Sequence, residues 1–188
     1  MNQEENLPKS DAAILIVDDR SENLVAMREL LIGIDADLEF AQSGESAFAK
    51  AMHREFALIL LDVQMPGIDG YQTASMLRRD QNTKHTPIIF VTALNRDEYS
   101  LFKGYESGAI DYIFKPIKAE VLLGKVAVFL ELYRQRMSDK LLRDELELKN
   151  QLLEHKNEQL RNFAGVVSHD LKSPLGRIIG FADQLQRR

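Results

Sequence analysis

Five residues of this chain combine reactive side chains with a common setting: Asp18, Asp19, Asp62, Thr92 and Lys115 each stand at or just past the end of a short apolar run. The run Ala57-Leu58-Ile59-Leu60-Leu61 delivers Asp62, and Val63-Gln64-Met65-Pro66-Gly67 then turns the chain away. An apolar stretch of that length reads as a buried strand. A strand that carries an acid to its C-terminal end aims it at the crevice where open α/β sheets place their chemistry. Carboxylates gathered at one edge repel one another unless a cation sits among them, and hard oxygen ligands that leave room for water suit Mg²⁺. A lone Asp is a weak nucleophile. Beside a divalent ion and the Lys115 ammonium, Asp62 could attack a phosphoryl group, because both cations offset charge on the transferring oxygens. The Thr92 hydroxyl could donate to a further oxygen. The set reads as a phosphoryl-transfer site that works through an aspartyl phosphate.

The elements that must position these residues follow from the pattern around them. Ala12 to Val17 is a first strand, ending in Asp18-Asp19. Ser21 is placed to cap a helix running to about Gly33, with Leu24, Met27, Leu30 and Leu31 on one face. Leu38 to Ala41 is a weak second strand, and Ser43-Gly44 opens a helix with Ala47, Phe48, Ala51 and Met52 inward. Past the strand that ends at Asp62, Asp69-Gly70 precedes a helix carrying Ala74 and Leu77. Pro87 to Val91 is a fourth strand, Arg96 to Ser107 a helix stopped by Gly108, and Ile110 to Phe114 a fifth strand before Lys115-Pro116. Strands alternating with helices at this spacing give βαβ units and a parallel sheet. Right-handed crossovers put all strand C-termini on one edge, which gathers the reactive residues. The pattern leaves the strand order open.

Composition bounds the rest. A length of 188 residues suffices for one ordinary domain plus an extension, and 45% apolar with 28% charged residues fits a globular protein. The absence of Cys excludes disulfides, thiol chemistry and Cys-based metal sites. No apolar run reaches the roughly 18 residues of a membrane helix. Met1 to Ser10 is polar and acidic, unlike a secretory signal, so a cytoplasmic location with no membrane partner is expected. Residues 1–117 hold 11 Lys and Arg against 19 Asp and Glu, whereas residues 118–188 hold 13 against 10. The acidic excess argues against nucleic acid as a partner of the first part, and no helix-turn-helix or basic patch follows it.

Residues 12–117 resemble the receiver domain of bacterial two-component response regulators. The resemblance is carried by Asp18-Asp19 after the first strand, Asp62 with Met65-Pro66-Gly67 and Asp69-Gly70, Thr92-Ala93, and Tyr112 three residues before Lys115-Pro116. It implies an α/β fold of the (βα)5 flavodoxin-like type. It implies that Asp62 is the phosphoacceptor and that Asp19, Asp62 and the backbone carbonyl of Gln64 bind Mg²⁺, with Asp18 acting mostly through water. Lys115 would pair with the phosphoryl group, and Thr92 and Tyr112 would form the switch pair. Leu94, two residues after Thr92, would hinder attacking water and prolong the aspartyl phosphate.

From Lys118 the character changes. No Pro or Gly occurs from Lys125 to Ala164, and helix formers dominate. Leu123, Val126, Leu130, Tyr133 and Met137 keep the 3-4 spacing of a coiled-coil seam. Leu142, Leu146, Leu153, Leu160, Phe163 and Val167 continue it in a shifted register, with a stutter near Ser138 to Leu141. Lys149 and Lys156 fall on the second seam, where polar residues weaken a dimer but can fix its register. One long helix in a parallel homodimer is expected.

His169-Asp170-Leu171-Lys172-Ser173-Pro174-Leu175 resembles the H-box of the dimerisation and phosphotransfer domain of histidine kinases. The resemblance implies that His169 accepts the γ-phosphoryl of ATP, that Asp170 orients or deprotonates its imidazole, and that Pro174 bends the helix. His169 lies off a seam through Phe163 and Val167, as an acceptor must, and Asp170 could hold one ring nitrogen. The second helix of that domain and its ATP-binding domain are missing, so ATP is expected only in the full-length parent and not as a substrate of this chain alone. Ile178, Ile179 and Phe181 before Arg188 have no later segment to pair with, as in a chain cut inside a domain.

Singly, each residue has a plainer reading. An Asp at a strand end is commonly a turn residue, Asp18-Asp19 can cap a helix, Tyr112 can be core, and a lone helical His is mostly structural. His53, His85 and His155 read as surface residues. Together they give a leader (1–11), a receiver (12–118), a helical coiled-coil linker (119–162) and the start of a kinase dimerisation domain (163–188). The expected activity is a phosphorelay in which Asp62 phosphorylation controls a histidine kinase core, with a partner histidine kinase or phosphotransfer protein. The alternative is a non-catalytic regulator whose coiled coil recruits a partner on phosphorylation.

Overall fold

The structure, a computed structural model, describes residues 12–93 and 111–186, with side chains described through residue 162. The strands are β1 (Ala13–Val17), β2 (Asp37–Ala41), β3 (Leu58–Asp62), β4 (Ile88–Thr92) and β5 (Asp111–Phe114). The helices are α1 (Ser21–Leu30), α2 (Gly44–His53), α3 (Gly70–Arg79) and α4 (Ala119–Gln186). The strands form one parallel five-stranded sheet in the order β2-β1-β3-β4-β5. This is the flavodoxin-like receiver architecture, followed by a long helix. The helix expected over Arg96 to Ser107, and Leu94, lie outside the described residues.

Alternation along the central strands divides the core in two, because successive side chains of a strand point to opposite faces. Ile14, Ile16, Leu58, Leu60, Ile89 and Val91 pack on one face with Leu24 and Met27 of α1, with Leu31 just past its end, and with Leu122, Val126 and Leu130 of α4. Leu15, Val17, Ile59, Leu61, Ile88 and Phe90 pack on the other with Ala47 and Ala51 of α2 and Ala74 and Leu77 of α3. Every residue of β1, β3 and β4 is buried, as expected of parallel strands covered on both sides. The edge strand β2 turns Asp37 and Glu39 outward, and Arg54 and Lys50 close over them.

Several local expectations change. Ser21 does not cap α1: Arg20 occupies the N-cap and makes no side-chain cap bond. Met52 of α2 is 38% exposed rather than inward, since Ala47 and Ala51 take the face against the sheet. Val126 and Leu130, expected in an intermolecular seam, are buried on the sheet of their own chain, with Leu123 and Tyr133 beside them. The same 3-4 spacing serves an amphipathic helix on a sheet and a helix on a partner helix. The chain divides into two compact units, Met1–Arg136 and Met137–Arg188. In the second, Leu141, Leu142, Leu146, Leu148, Leu152, Leu153 and Leu160 are exposed on a helix whose backbone continues through Pro174. Among the described residues no helix is long and apolar enough to cross a membrane.

Candidate functional site

β1 and β3 are neighbours, so their C-terminal ends bring Asp18-Asp19 beside Asp62. Carboxylate oxygens of Asp18, Asp19 and Asp62 lie within 4.8 Å of one another. Asp18 and Asp62 are each only 4% exposed, whereas Asp19 is half-buried. β5 contributes Lys115, whose backbone N–H donates to the Thr92 carbonyl at 2.8 Å and so continues the β4–β5 ladder into the site. Its Nζ donates to Asp62 Oδ1 at 2.7 Å and to Asp18 Oδ2 at 3.2 Å. The Lys115–Pro116 peptide bond is cis.

The loop after Asp62 is held at both ends. Val63 and Met65 are buried, and Gly67 has φ +77°, a left-handed turn that favours glycine. Asp69 then caps α3: its Oδ1 accepts from the Gln72 N–H at 2.7 Å, while Gln72 Oε1 accepts from the Asp69 N–H at 3.1 Å. The Gly70 N–H donates to the Val63 carbonyl at 3.1 Å. This contact brings α3 so close to the loop after Asp62 that a side chain at Gly70 would strike the Asp62 carbonyl.

Two contributors were missed in the sequence. Asn23, in the first turn of α1, donates its Nδ2 to Asp18 Oδ1 at 2.8 Å and to Oδ2 at 2.9 Å. The Arg20 N–H also donates to Asp18 Oδ1, at 3.0 Å. These bonds fix the Asp18 carboxylate and tie the start of α1 to the site. An amide five residues past an acid at a helix start is the signal that could have found Asn23. Gly70 offered no signal apart from its place beside a capping Asp.

Burial raises the Asp62 carboxyl above its usual range; the Lys115 hydrogen bond and charge oppose that, and the charges of Asp18 and Asp19 add to it. Burial lowers the Lys115 ammonium, but the hydrogen bond and charge of Asp62, then those of Asp18, outweigh it, so its net shift is upward. Three carboxylates meet one ammonium here. Hard oxygen donors, close spacing and uncompensated negative charge fit Mg²⁺.

Thr92 is buried at the end of β4, across the ladder from Phe114. Tyr112 lies half-buried on β5, its ring 5.3 Å from that of Phe90, which in turn meets Tyr71 of α3 at 4.8 Å. Gln64 is exposed in the loop after Asp62. His53, His85 and His155 are exposed, and His155 Nε2 lies 3.1 Å from Gln159 Nε2. His169 and Asp170 lie where the backbone is helical and side chains are outside the described residues.

The response regulator receiver domain family matches residues 14–127, more than half of the chain. The chain therefore belongs to that family, the two-component signalling module phosphorylated on an aspartate. A Vibrio cholerae protein named probable cyclic di-GMP phosphodiesterase is 32% identical over 149 residues, covering 79% of this chain and 33% of its own length. The chain thus spans about a third of that relative. The chemotaxis protein CheY4 of Vibrio cholerae superposes with a TM-score of 0.58 at 30% identity, over 63% of this chain and 98% of that one. The receiver domain of a signal transduction histidine kinase from Syntrophus aciditrophicus superposes with a TM-score of 0.58 at 29% identity, over 64% of this chain and 90% of that one.

Proposed function

We propose that Asp62 accepts a phosphoryl group in a Mg²⁺-dependent reaction and thereby controls a histidine kinase core whose phosphoacceptor is His169. The observation that carries the first half is the Lys115 ammonium 2.7 Å from a buried Asp62 amid acids within 4.8 Å. Asp19, Asp62 and the backbone carbonyl of Gln64 would hold Mg²⁺, with Asp18 acting through water. The ion supplies positive charge against the transferring phosphoryl oxygens. An Asp62 oxygen attacks phosphorus of a phosphohistidine donor, the new O–P bond forms, and the donor's P–N bond breaks. Lys115 then exchanges its carboxylate partner for a phosphoryl oxygen. Thr92 donates to another, and its shift is passed to Tyr112.

His169, Asp170 and the H-box sequence support the second half, together with the similarity to a receiver from a histidine kinase. In this reading residues 12–118 are the receiver, 119–162 a coiled-coil linker, and 163–188 the first helix of the dimerisation domain, in a homodimer fed by a partner kinase or phosphotransfer protein. Asp170 holds one imidazole nitrogen of His169 and leaves the other nucleophilic.

Incubating the chain with Mg²⁺ and labelled acetyl phosphate tests Asp62: a base-labile, hydroxylamine-sensitive label is expected, absent in Asp62→Asn. Labelled ATP tests His169 in the full-length protein. Acid-labile, base-stable label that His169→Gln abolishes supports the kinase. No such label favours the non-catalytic regulator, whose exposed leucines would recruit a partner.

A further inference from the structure

We propose that the receiver holds a further binding site, a cavity beside the acids that takes a small neutral molecule with an apolar body and one hydroxyl. The cavity, about 250 Å³, lies between α1 and the segment after β5, on the face of the sheet that carries Ile16, Leu60 and Val91. Its floor is Ile16, Met27, Leu60 and Val91, all buried. Its rim includes Asn23, Ala26, Lys115 and Ile117, all half-buried or exposed, so the cavity opens to solvent on that side. An aliphatic cavity of about 150 Å³ already takes benzene, so this one has room for such a ring with roughly one or two further heavy atoms.

The polar groups at the rim choose the head group. Asn23 donates its Nδ2 to both oxygens of Asp18, and a carboxylate that only accepts fixes which end of the amide faces it. Asn23 Oδ1 is left as an acceptor with no bond among the described residues. Lys115 donates to Asp62 and to Asp18, which leaves one of the three ammonium hydrogens for another acceptor. Asn23 Nδ2 and Lys115 Nζ meet on the same Asp18 oxygen, at 2.9 Å and 3.2 Å.

A hydroxyl seated between them can donate to Asn23 Oδ1 and accept from Lys115 Nζ at once. A carboxylate would satisfy Lys115 alone and would enter beside three acids. An ammonium could donate to Asn23 but would stand against the Lys115 ammonium, and both Asp18 oxygens already hold donors. Binding of this kind needs neither Mg²⁺ nor a phosphoryl group, so it does not rest on the proposed phosphoryl transfer.

The test follows amide resonances of the full 188-residue chain by NMR, without Mg²⁺, in titrations with benzyl alcohol, toluene, benzoate and benzylammonium. These probes share a ring and differ in the head group. Saturable shifts at Ile16, Met27 and Ile117 are expected with benzyl alcohol, at an affinity about tenfold above that of toluene. Ala26→Phe sets a ring into the rim from an exposed position and should abolish the saturation with an unchanged Tm. Lys115→Met keeps an apolar stem and removes the donor, and should bring benzyl alcohol within about twofold of toluene. Benzoate or benzylammonium binding as tightly as benzyl alcohol overturns the inference, because charge rather than the Asn23–Lys115 pair would then choose the head group. Benzyl alcohol binding no tighter than toluene overturns it as well. So do shifts that never saturate, or that saturate equally in Ala26→Phe.

Discussion

Substituting Gly70 tests whether the geometry of the loop after Asp62, rather than its mere presence, is what the proposed phosphoryl transfer to Asp62 depends on. A Cβ at Gly70 would stand 2.3 Å from the Asp62 carbonyl oxygen, 2.8 Å from the Val63 Cα and 3.0 Å from the Asp62 carbonyl carbon, where ordinary contact begins near 3.4 Å. Gly70→Ala must therefore push strand end and helix apart by about 1 Å. The atoms struck are backbone, at the end of a fully buried strand, and cannot swing aside. Overpacking of this kind costs about 1–3 kcal/mol, of which improved helix propensity returns at most about 1 kcal/mol. A net loss near 1–2 kcal/mol lowers Tm by about 4–8 °C. The displacement falls on the acceptor residue itself, and a misplacement of about 1 Å can slow a reaction about 100-fold. The assay is the rate of labelling by acetyl phosphate with Mg²⁺, beside a thermal melt. Gly44→Ala is the control: its Cβ would meet Thr73 Oγ1 at 2.2 Å, a clash of similar size on the α2–α3 contact. It should lose stability and keep its labelling rate. Equal rate losses in the two variants, or an unchanged rate in Gly70→Ala, would refute the reasoning.

Asn23→Ala removes two hydrogen bonds from the buried Asp18 carboxylate. Bonds to charged groups contribute about 1.5–3 kcal/mol, and loss of a residue that orients a ligand lowers metal affinity about 10–100-fold. Thermal melts should show both a lower Tm without metal and a Mg²⁺ titration displaced to higher concentration. Asp62 has a folded pKa above 3.8, so its favourable contribution is full below that value and is lost as pH rises through the folded pKa. Asp62→Asn should therefore be more stable than wild type without metal at neutral pH, with the difference vanishing in acid; a Tm that falls at pH 7 counts against this. Asp69→Ala breaks the capping box and should cost about 1 kcal/mol by denaturant titration.

Much of the receiver was legible because β1, β3 and β4 are short, continuous apolar runs, each closed by a polar residue. Buried parallel strands leave that trace. The strand order was not legible, since β1 and β3 could be neighbours or not with the same runs. The helix starts at Ser43-Gly44 and Asp69-Gly70 were legible, and the structure shows both Ser43 and Asp69 as caps; capping was misread at Ser21, where Asp18 draws the Arg20 N–H and Asn23 instead. Periodicity placed residues on sides of α4 without saying what each side meets. Val126 and Leu130 looked like seam residues because an apolar stripe on a helix carries no mark of its partner. Only exposure separated the side that meets the sheet from the side that does not.

The gathering of Asp18, Asp19, Asp62 and Lys115 at one sheet edge was legible too, and the reason is energetic. Among the described residues, the buried ionisable groups are Asp18 and Asp62, and both belong to it. Two of the buried threonines close on backbone carbonyls: Thr73 donates to Asp69 and Thr83 to Leu77. Burying a carboxylate is costly unless a charge or several donors meet it. Lys115, Asn23 and the Arg20 N–H supply part of that, yet three carboxylates against one ammonium still leave two negative charges uncompensated. Selection for stability alone would replace Asp62 with an amide of the same shape. That it keeps a desolvated acid whose protonated form the fold favours is a departure from foldability, and such departures collect where function needs them. In the proposed function a divalent cation would cancel the surplus, and a phosphoryl oxygen would replace the Asp62 carboxylate as the partner of the Lys115 ammonium. The frustration of the metal-free site and its reactivity thus have one physical origin.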